Sequence, residues 1–294
     1  MISIIITTFN RPTELKRALS SIRSQLDDRY ELLVVNDGRL LDLGTTQEIQ
    51  NLNGKLFNTT GGCGAAFARN LGATKSKCNW ITFLDDDDEF LPDKILNINN
   101  YLSPDFDIIV HEANLHFPEI PAIYTTKTFA FKVNPKDILI SNTLGGIPKL
   151  VIKREFFIKT GGFTEHLRAF EDYELNIKML KLNPKIGFLS IPLVRCNYIF
   201  KKQSVSKSTD ASYELLRDIQ EMHGLDEISV FNKLKAASAR YDVIALKALM
   251  NDSIYLWLYY NIRSFLMFPN IKSLLIILAS IFGLKNVVKL RSTL

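Results

Sequence analysis

Cysteine is scarce in this sequence, and the few copies present form no recognisable set. The three cysteines, Cys63, Cys78 and Cys196, have no metal-type spacing. Their odd number argues against a disulfide framework, so a reducing compartment is expected. The four histidines are scattered as well, and no metal site is expected from them.

Targeting and membrane-spanning signals are also missing. The apolar first residues carry no basic n-region and are interrupted early by Arg11 and Pro12, so no secretory signal peptide is expected. The apolar core near the C-terminus, residues 273–284, is shorter than the ~20 residues needed to cross a bilayer. These absences favour a cytoplasmic protein.

A strong charge of one sign is absent too. The net charge of +5 is mildly basic, which suits a phosphate-bearing ligand or an anionic membrane surface. The chain has no basic stripe of the kind that binds nucleic acid, so no nucleic-acid partner is expected. Hydrophobic residues make up 47% of the 294 residues, enough for one large domain with an extension.

What is present begins with a β-α-β pattern. Residues 2–8 form a β-branched apolar run, typical of a strand that is buried on both faces of a parallel sheet. Residues 13–25 carry apolar side chains at a helical period, and residues 30–35 predict a second strand. A right-handed parallel unit is therefore expected, with both strand ends at the same edge of the sheet.

An acidic cluster follows the next predicted strand, residues 80–84. Oxygen-rich carboxylate sites suit Mg²⁺, Mn²⁺ or Ca²⁺, whereas a plain acidic turn would only end the strand. Ligands of open α/β sheets bind beyond the carboxyl ends of strands, which favours the metal interpretation. The cluster consists of Asp85, Asp86, Asp87, Asp88 and Glu89.

Two later features complete the pattern. The glycine-rich residues 61–64 open a predicted helix, residues 65–74, and this entry suits a bound phosphate and a flexible turn equally well. Farther along, residues 186–191 and 193–200 predict two more strands.

The C-terminal region differs in character. Residues 203–210 form a polar connector, and from residue 211 the pattern is helical. Apolar residues with basic flanks and an aromatic belt of Trp257, Tyr259 and Tyr260 indicate helices that lie at a membrane surface. A helical cap on the first domain or a dimer interface is the alternative.

Several motifs occur in one order over residues 1–200, and together they resemble the family 2 glycosyltransferases. No single motif would suffice, but the set is specific. The C-terminal region lies outside the resemblance. The motifs are 5–12 (Ile-Ile-Thr-Thr-Phe-Asn-Arg-Pro), 34–38 (Val-Val-Asn-Asp-Gly), 68–72 (Ala-Arg-Asn-Leu-Gly), 84–88 (Leu-Asp-Asp-Asp-Asp), 91–93 (Leu-Pro-Asp), 161–163 (Gly-Gly-Phe) and 171–172 (Glu-Asp).

The resemblance implies an α/β fold of the GT-A type: a Rossmann-like, mostly parallel nucleotide-binding sheet flanked by helices, here with a helical C-terminal extension. We therefore predict a catalytic domain over residues 1–205. Its donor half is expected at about 1–110 and its acceptor half at about 111–205. Residues 206–294 are expected to form the helical extension.

The resemblance also implies a site for a nucleotide-sugar donor. Asp37 is expected to accept a hydrogen bond from the base, although an Asx turn before Gly38 is the alternative. Asp85 and Asp87 match the D-x-D pair and are expected to hold Mn²⁺ or Mg²⁺, which takes up charge on the departing diphosphate. Asp88 is expected to cap the next helix, to orient the cluster or to finish the turn. The expected donor-binding residues are Thr8, Phe9, Arg11, Asp37, Arg69, Asp85 and Asp86.

Glu171 and Asp172 open a predicted amphipathic helix. Acidic residues at a helix start are stabilised by the helix dipole, which is the plain explanation of this pair. The resemblance implies instead that Asp172 is the base that deprotonates the acceptor hydroxyl in an inverting reaction. Glu171 and Gly162 are then expected to bind the acceptor.

One departure from the family concerns the end of the first domain. Many relatives carry a His or Arg there that helps to hold the metal or the diphosphate, and residues 195–204 contain no His. Lys201 or Lys202 is the expected substitute, because an ammonium group binds phosphate as a point charge.

The sequence therefore predicts an inverting, metal-dependent glycosyltransferase of the hexosyltransferase type. It is expected to move one sugar from a nucleotide-diphosphate donor, UDP-linked, to a hydroxyl of a saccharide acceptor. A polyprenyl-diphosphate-linked acceptor, a role in surface polysaccharide or O-antigen synthesis, and a peripheral position at the inner face of the cell membrane are further expectations. The alternatives are a sugar-nucleotide pyrophosphorylase and a non-catalytic, membrane-associated sugar-nucleotide binder.

Overall fold

The computed structural model describes most of the chain, in two compact units. The first unit is built mainly from Met1–Leu115 and Leu144–Asn197, and the second mainly from helices after residue 208. Lys201, Lys202, most of the polar connector and the C-terminal residues 281–294 lie outside the described residues. The described ranges are 1–25, 30–118, 122–127, 136–198, 209–251 and 253–280.

The first unit is organised on four parallel strands in the order β3-β2-β1-β4. The predicted strand at residues 2–8 is the central one, and its isoleucines Ile2, Ile4, Ile5 and Ile6 are fully buried. Burial on both faces explains why its sequence shows a continuous apolar run without alternation. The four strands are β1 (Ile2–Thr8), β2 (Tyr30–Asn36), β3 (Lys55–Asn58) and β4 (Trp80–Asp85).

Three helices connect these strands: α1 (Pro12–Arg23), α2 (Leu43–Asn51) and α3 (Ala65–Lys75). The first and third agree closely with the predicted helices, whereas α2 and β3 were not predicted. α2 buries only Thr45 and Ile49, and β3 is a four-residue edge strand that is partly exposed. Neither element carries the long apolar pattern by which helices and strands are found from sequence.

The other strands extend the sheet beyond β4 in the order β4-β8-β6-β9-β5, with β7 paired to β6. Here β8 is antiparallel to both β4 and β6, so the sheet is mixed. The elements are β5 (Glu89–Phe90), α4 (Lys94–Tyr101), β6 (Ile108–Phe117), β7 (Ala122–Thr125), β8 (Leu150–Lys153), α5 (Arg154–Lys159), α6 (Glu171–Lys181) and β9 (Ile186–Asn197).

The prediction of two strands at 186–191 and 193–200 was wrong, because β9 runs unbroken through Pro192. Its neighbour β5 pairs only with Val194 and Arg195. Pro192 therefore lies beyond that ladder, where a proline costs no hydrogen bond toward β5.

The second unit contains helices α7 (Thr209–Met222), α8 (Val230–Met250), α9 (Ile254–Met267) and α10 (Ile271–Ser280). None of the described helices has the length and apolar character that a membrane crossing requires. The predicted aromatic belt is wrong in part: Trp257 and Tyr260 are buried in this unit, and only Tyr259 is well exposed.

Helix α3 lies close against the sheet at Gly72. A Cβ atom added there would stand 2.4 Å from Cγ2 of Ile5 and 3.4 Å from Cγ2 of Val35. Because Ile5 is fully buried in the central strand, it has little room to move. This glycine therefore sets how closely α3 approaches the strands that carry the site described below.

We predict that Gly72→Ala lowers the free energy of unfolding by about 1–3 kcal/mol, as overpacking a core does. Denaturant or thermal unfolding of the purified protein measures the change. Gly146→Ala is the matched control, because a Cβ atom at that position would meet Pro148 Cδ at 3.7 Å, an ordinary contact. Equal stability of the Gly72→Ala variant and the wild type would contradict the packing argument.

Candidate active site

Three parallel strands bring polar residues to one edge of the sheet. Thr8 at the end of β1 lies opposite Asn36 of β2, and Thr7 lies opposite Asp85 of β4. The prediction that these strand ends meet is confirmed. The edge is the carboxyl end of the parallel strands, where α/β sheets bind ligands.

Asp37, directly after β2, is enclosed by the glycine-rich loop. Its carboxylate accepts hydrogen bonds from the backbone N–H of Cys63 at 3.0 Å, from the N–H of Gly64 at 2.8 Å and from the hydroxyl of Thr59. Gly64 has φ of 100°, a left-handed conformation that glycine adopts without strain. The loop therefore directs these N–H groups at Asp37, while the expected contact of Asp37 with a base stays a prediction.

Residues 85–88 form a turn, closed by a 3.0 Å hydrogen bond from the N–H of Asp88 to the carbonyl of Asp85. Within it, Asp86 accepts hydrogen bonds from the Thr8 hydroxyl at 2.8 Å and from Arg11 at 3.1 Å. Arg11 also pairs with Asp87 at 2.8 Å. The acidic turn is thus tied to β1 and to the loop after it.

Burial is the main cause of an unusual pKa at Asp86. Together with the neighbouring charge of Asp87 it raises the pKa of Asp86 to about 6, although Thr8 and Arg11 favour the ionised form. Arg11 is correspondingly held in its charged form, with a raised pKa, by Asp86 and Asp87. The site therefore holds a carboxylate that depends on its two partners for its charge.

Asp88 and β9 form a connection that the sequence did not reveal. The Asp88 carboxylate accepts the N–H of Asn197 at 3.0 Å, and the Asn197 side chain donates to the carbonyl of Asp87 at 2.7 Å. Asp88 finishes the turn, which was one of its expected roles. Another expectation, a cap on the next helix, is wrong, because α4 begins at Lys94 without any side-chain cap.

Arg17 on α1 is a second residue that sequence reasoning missed. It donates to the carbonyl of Asp87 at 2.7 Å and pairs with Glu89 at 3.2 Å. A signal was available, since Arg17 lies little more than one turn into the helix that follows the Asn10-Arg11-Pro12 loop. A residue so early in the helix stays close to the strand edge at which the helix begins.

Arg69 on α3 joins the two sides of the site. Its guanidinium donates to Asp85 at 2.6 Å and to Glu171 at 2.9 Å. The side chain is only 9% exposed, and the Phe163 ring lies 5.4 Å from the guanidinium carbon. These two carboxylates raise the pKa of Arg69 and so oppose the effect of its burial.

Asp172 lies next to Glu171 in the first turn of α6. Burial, followed by the charge of Glu171, raises the pKa of Asp172 to about 6. One of its oxygens accepts the N–H of Tyr173 at 2.7 Å. A carboxylate with this pKa is mostly ionised at neutral pH and able to take up a proton, as a general base requires.

The loop that carries Gly162 is held against α3 by Asn70. The Asn70 side chain donates to the carbonyl of Phe163 and accepts from its N–H, both at 2.9 Å. Gly162 itself has φ of 67°, and its carbonyl accepts from Lys178 at 2.5 Å. The glycine thus lies beside α6, and its expected contact with an acceptor stays a prediction.

The carboxylates at this edge suit a divalent cation that needs only one or two protein ligands. Among the described residues, no group of three or more His, Cys, Asp or Glu side chains forms a complete metal site. Mg²⁺ is commonly bound by only one or two carboxylates, with substrate phosphates and water filling the other positions. Asp85 and Asp87 supply two carboxylates of that kind, each now paired with an arginine.

Comparison with known proteins places this arrangement in context. The model of Glycosyl transferase family 2 matches residues 3–172. A protein of Haemophilus influenzae, described as an uncharacterized glycosyltransferase, is 32% identical over 226 residues, which cover 75% of this chain and 76% of that protein.

Two solved structures share the fold. TarS 1-349 of S. aureus, in complex with UDP-GlcNAc, gives a TM-score of 0.64 at 16% identity, covering 99% of this chain and 89% of that one. The mannosyltransferase PcManGT from Pyrobaculum calidifontis, in complex with GDP-Man and Mn²⁺, gives a TM-score of 0.52 at 16% identity, covering 98% of this chain and 82% of that one. Together with the family match, these likenesses show that the chain is a member of glycosyltransferase family 2 with the GT-A fold.

Proposed function

We propose that this glycosyltransferase moves a single sugar from a nucleotide-diphosphate sugar to a hydroxyl of a saccharide acceptor, with inversion. The observation that carries the proposal is the position of Arg69 between Asp85, at the strand edge, and Glu171, beside Asp172. A UDP-linked donor is favoured because TarS, which superposes better than PcManGT, is described with UDP-GlcNAc.

On the donor side, Asp87 and Asp85 would hold Mn²⁺ or Mg²⁺, and the description of PcManGT with Mn²⁺ supports this choice. When bound, such a cation neutralises charge on the departing nucleoside diphosphate. Arg11, which pairs with Asp86 and Asp87, is the arginine that we assign to the diphosphate. Base and ribose contacts are assigned to Thr8, Phe9, Asp37 and Asp86, of which Phe9 is 53% exposed and free to stack.

On the acceptor side, Asp172 acts as the base. It removes the proton of the attacking hydroxyl as that oxygen bonds to the anomeric carbon. The bond between the anomeric carbon and the diphosphate oxygen breaks on the opposite face, and the nucleoside diphosphate departs. Glu171 and Gly162 then position the acceptor. The proton ends on Asp172, whose pKa of about 6 lets it release the proton to solvent at neutral pH.

The acceptor is proposed to be lipid-linked, in surface polysaccharide synthesis at the inner face of the membrane. Residues 253–294 contain no Asp or Glu and five basic residues, a composition that suits an anionic surface. Along α9 the exposed apolar side chains Tyr255, Tyr259, Ile262 and Leu266 lie at helical spacing and form one stripe. We call these four residues the α9 stripe and propose that it contacts lipid.

We predict that transfer from a UDP-sugar requires Mn²⁺ or Mg²⁺ and that Asp87→Asn lowers kcat by about 100-fold or more, the scale of a lost electrostatic stabiliser. A screen of UDP-, GDP- and dTDP-sugars with and without EDTA measures this. Asp226→Asn is the control, because Asp226 is an exposed partner of Lys233 in the second unit. Full activity in EDTA, or pyrophosphate release from NTP and sugar phosphate, would contradict the assignment.

We also predict that kcat rises with pH through about 6 and is level above it, because Asp172 accepts a proton only in its ionised form. Asp172→Asn is expected to abolish transfer while leaving the fold intact by circular dichroism. Glu155→Gln, at an exposed ion pair with Lys153, is the control and should keep the wild-type profile. An active Asp172→Asn variant would remove Asp172 from the role of base.

For the α9 stripe, we predict that the full chain sediments with vesicles containing anionic lipid and less with neutral vesicles. The double variant Tyr255→Ser/Leu266→Ser should weaken binding by about tenfold or more, since each side chain buries apolar surface worth about 1.5–3 kcal/mol. Leu40→Ser/Leu43→Ser removes equally exposed apolar residues from the first unit and is the control. Concentration-dependent self-association instead of vesicle binding would assign the stripe to a second copy.

A further inference from the structure

Both terminal nitrogens of Arg69 pair with protein carboxylates. One terminal nitrogen donates to Asp85 and the other to Glu171, and the third nitrogen, Nε, is buried with no hydrogen-bond partner among the described residues. The Phe163 ring lies beside the guanidinium. The hydrogen bonds of Arg69 to described residues thus go to Asp85 and Glu171, while its expected contact with the donor stays a prediction.

The two partners of Arg69 come from opposite sides of the site. Asp85 ends strand β4 in the donor part, and Glu171 begins helix α6, 102 residues after Arg69. No other hydrogen bond or ion pair found between described side chains links Asp85 to the start of α6. The guanidinium is planar and rigid, so a two-sided pair fixes direction as well as distance.

The neighbouring residue strengthens the same connection. Asn70 holds the backbone of Phe163 through a pair of 2.9 Å hydrogen bonds. A Cβ atom at Gly162 would stand 2.7 Å from Oδ1 of Asn70, so the glycine leaves room for this side chain. Two consecutive residues of α3 thus reach the loop before α6 and the first residue of α6. Helix α3 in turn is seated on the central strand at Gly72, so this connection has a rigid base.

We propose that Arg69 is a positioning residue for transfer: it fixes the distance between the donor-side carboxylate Asp85 and the Glu171-Asp172 pair. This inference rests on the proposed function of Asp172 as base. The reacting hydroxyl has to meet the anomeric carbon within a few tenths of an ångström, and a displacement of about 1 Å costs roughly 100-fold in rate. In this role Arg69 acts on the reaction through these carboxylates.

Charge and shape explain why neither a neutral residue nor a lysine would replace Arg69 fully in this role. Without the guanidinium, Asp85, Glu171 and Asp172 would lie close together with like charge, and the first turn of α6 would be pushed away from β4. An ammonium group pairs as a point charge and cannot hold two carboxylates in a fixed plane. Arg69→Lys is therefore expected to restore only part of the function that Arg69→Gln removes.

The test compares Arg69→Gln, Arg69→Lys and Glu171→Gln in the full chain, with Arg23→Gln as the matched control, because Arg23 forms an exposed pair with Glu48. We expect Arg69→Gln to lower kcat by about 100-fold with little change in the KM for the donor. The double variant Arg69→Gln/Glu171→Gln should lose less than the product of the two single losses, because both substitutions break one connection.

Hydrogen exchange provides a readout that needs no turnover. The amides at the start of α6, residues 171–174, should exchange faster in Arg69→Gln than in the wild type or in Arg23→Gln. An increased KM or Kd for the donor with unchanged kcat, or unchanged exchange at α6, would overturn the positioning role. A wild-type chain that transfers no sugar would refute the proposed function, while exchange at α6 would still decide whether Arg69 holds the helix.

Discussion

The site depends on the compensation of crowded carboxylates by two arginines. Asp85, Asp86 and Asp87 follow one another at a strand end, where their charges repel in a partly buried place. Arg11 neutralises the outer pair, Asp86 and Asp87, and Arg69 pairs with Asp85. These ion pairs hold the side chains of the strand edge in place.

This compensation is possible only because the backbone below it is rigid. The central strand β1 is buried except at the half-buried Thr7, and it brings the Thr8 hydroxyl to Asp86. The glycine-rich loop is fixed by Asp37, and β9 is fixed to the acidic turn through Asp88 and Asn197. Each carboxylate of the edge thus serves as an anchor for a neighbouring segment, a role distinct from any contact with a ligand.

Asp37 anchors the glycine-rich loop and still has acceptor capacity for the base contact that we propose. Its carboxylate already accepts from two backbone N–H groups and one hydroxyl, which holds the loop that precedes α3. An ionised carboxylate has about four acceptor positions, so one position remains for a donor such as the N–H of a nucleobase. The loop and a base would then be organised around the same side chain.

The sequence by itself determined the strands β1, β2 and β4 and the meeting of their ends, because buried parallel strands read as continuous apolar runs. It also determined the family, through motifs that are short and local. Only the tertiary structure decided that Arg69 reaches Glu171 and that Asp88 holds Asn197, since these partners lie about a hundred residues apart. The same holds for the burial of Trp257 and Tyr260, because an aromatic pattern does not tell which helix will cover it.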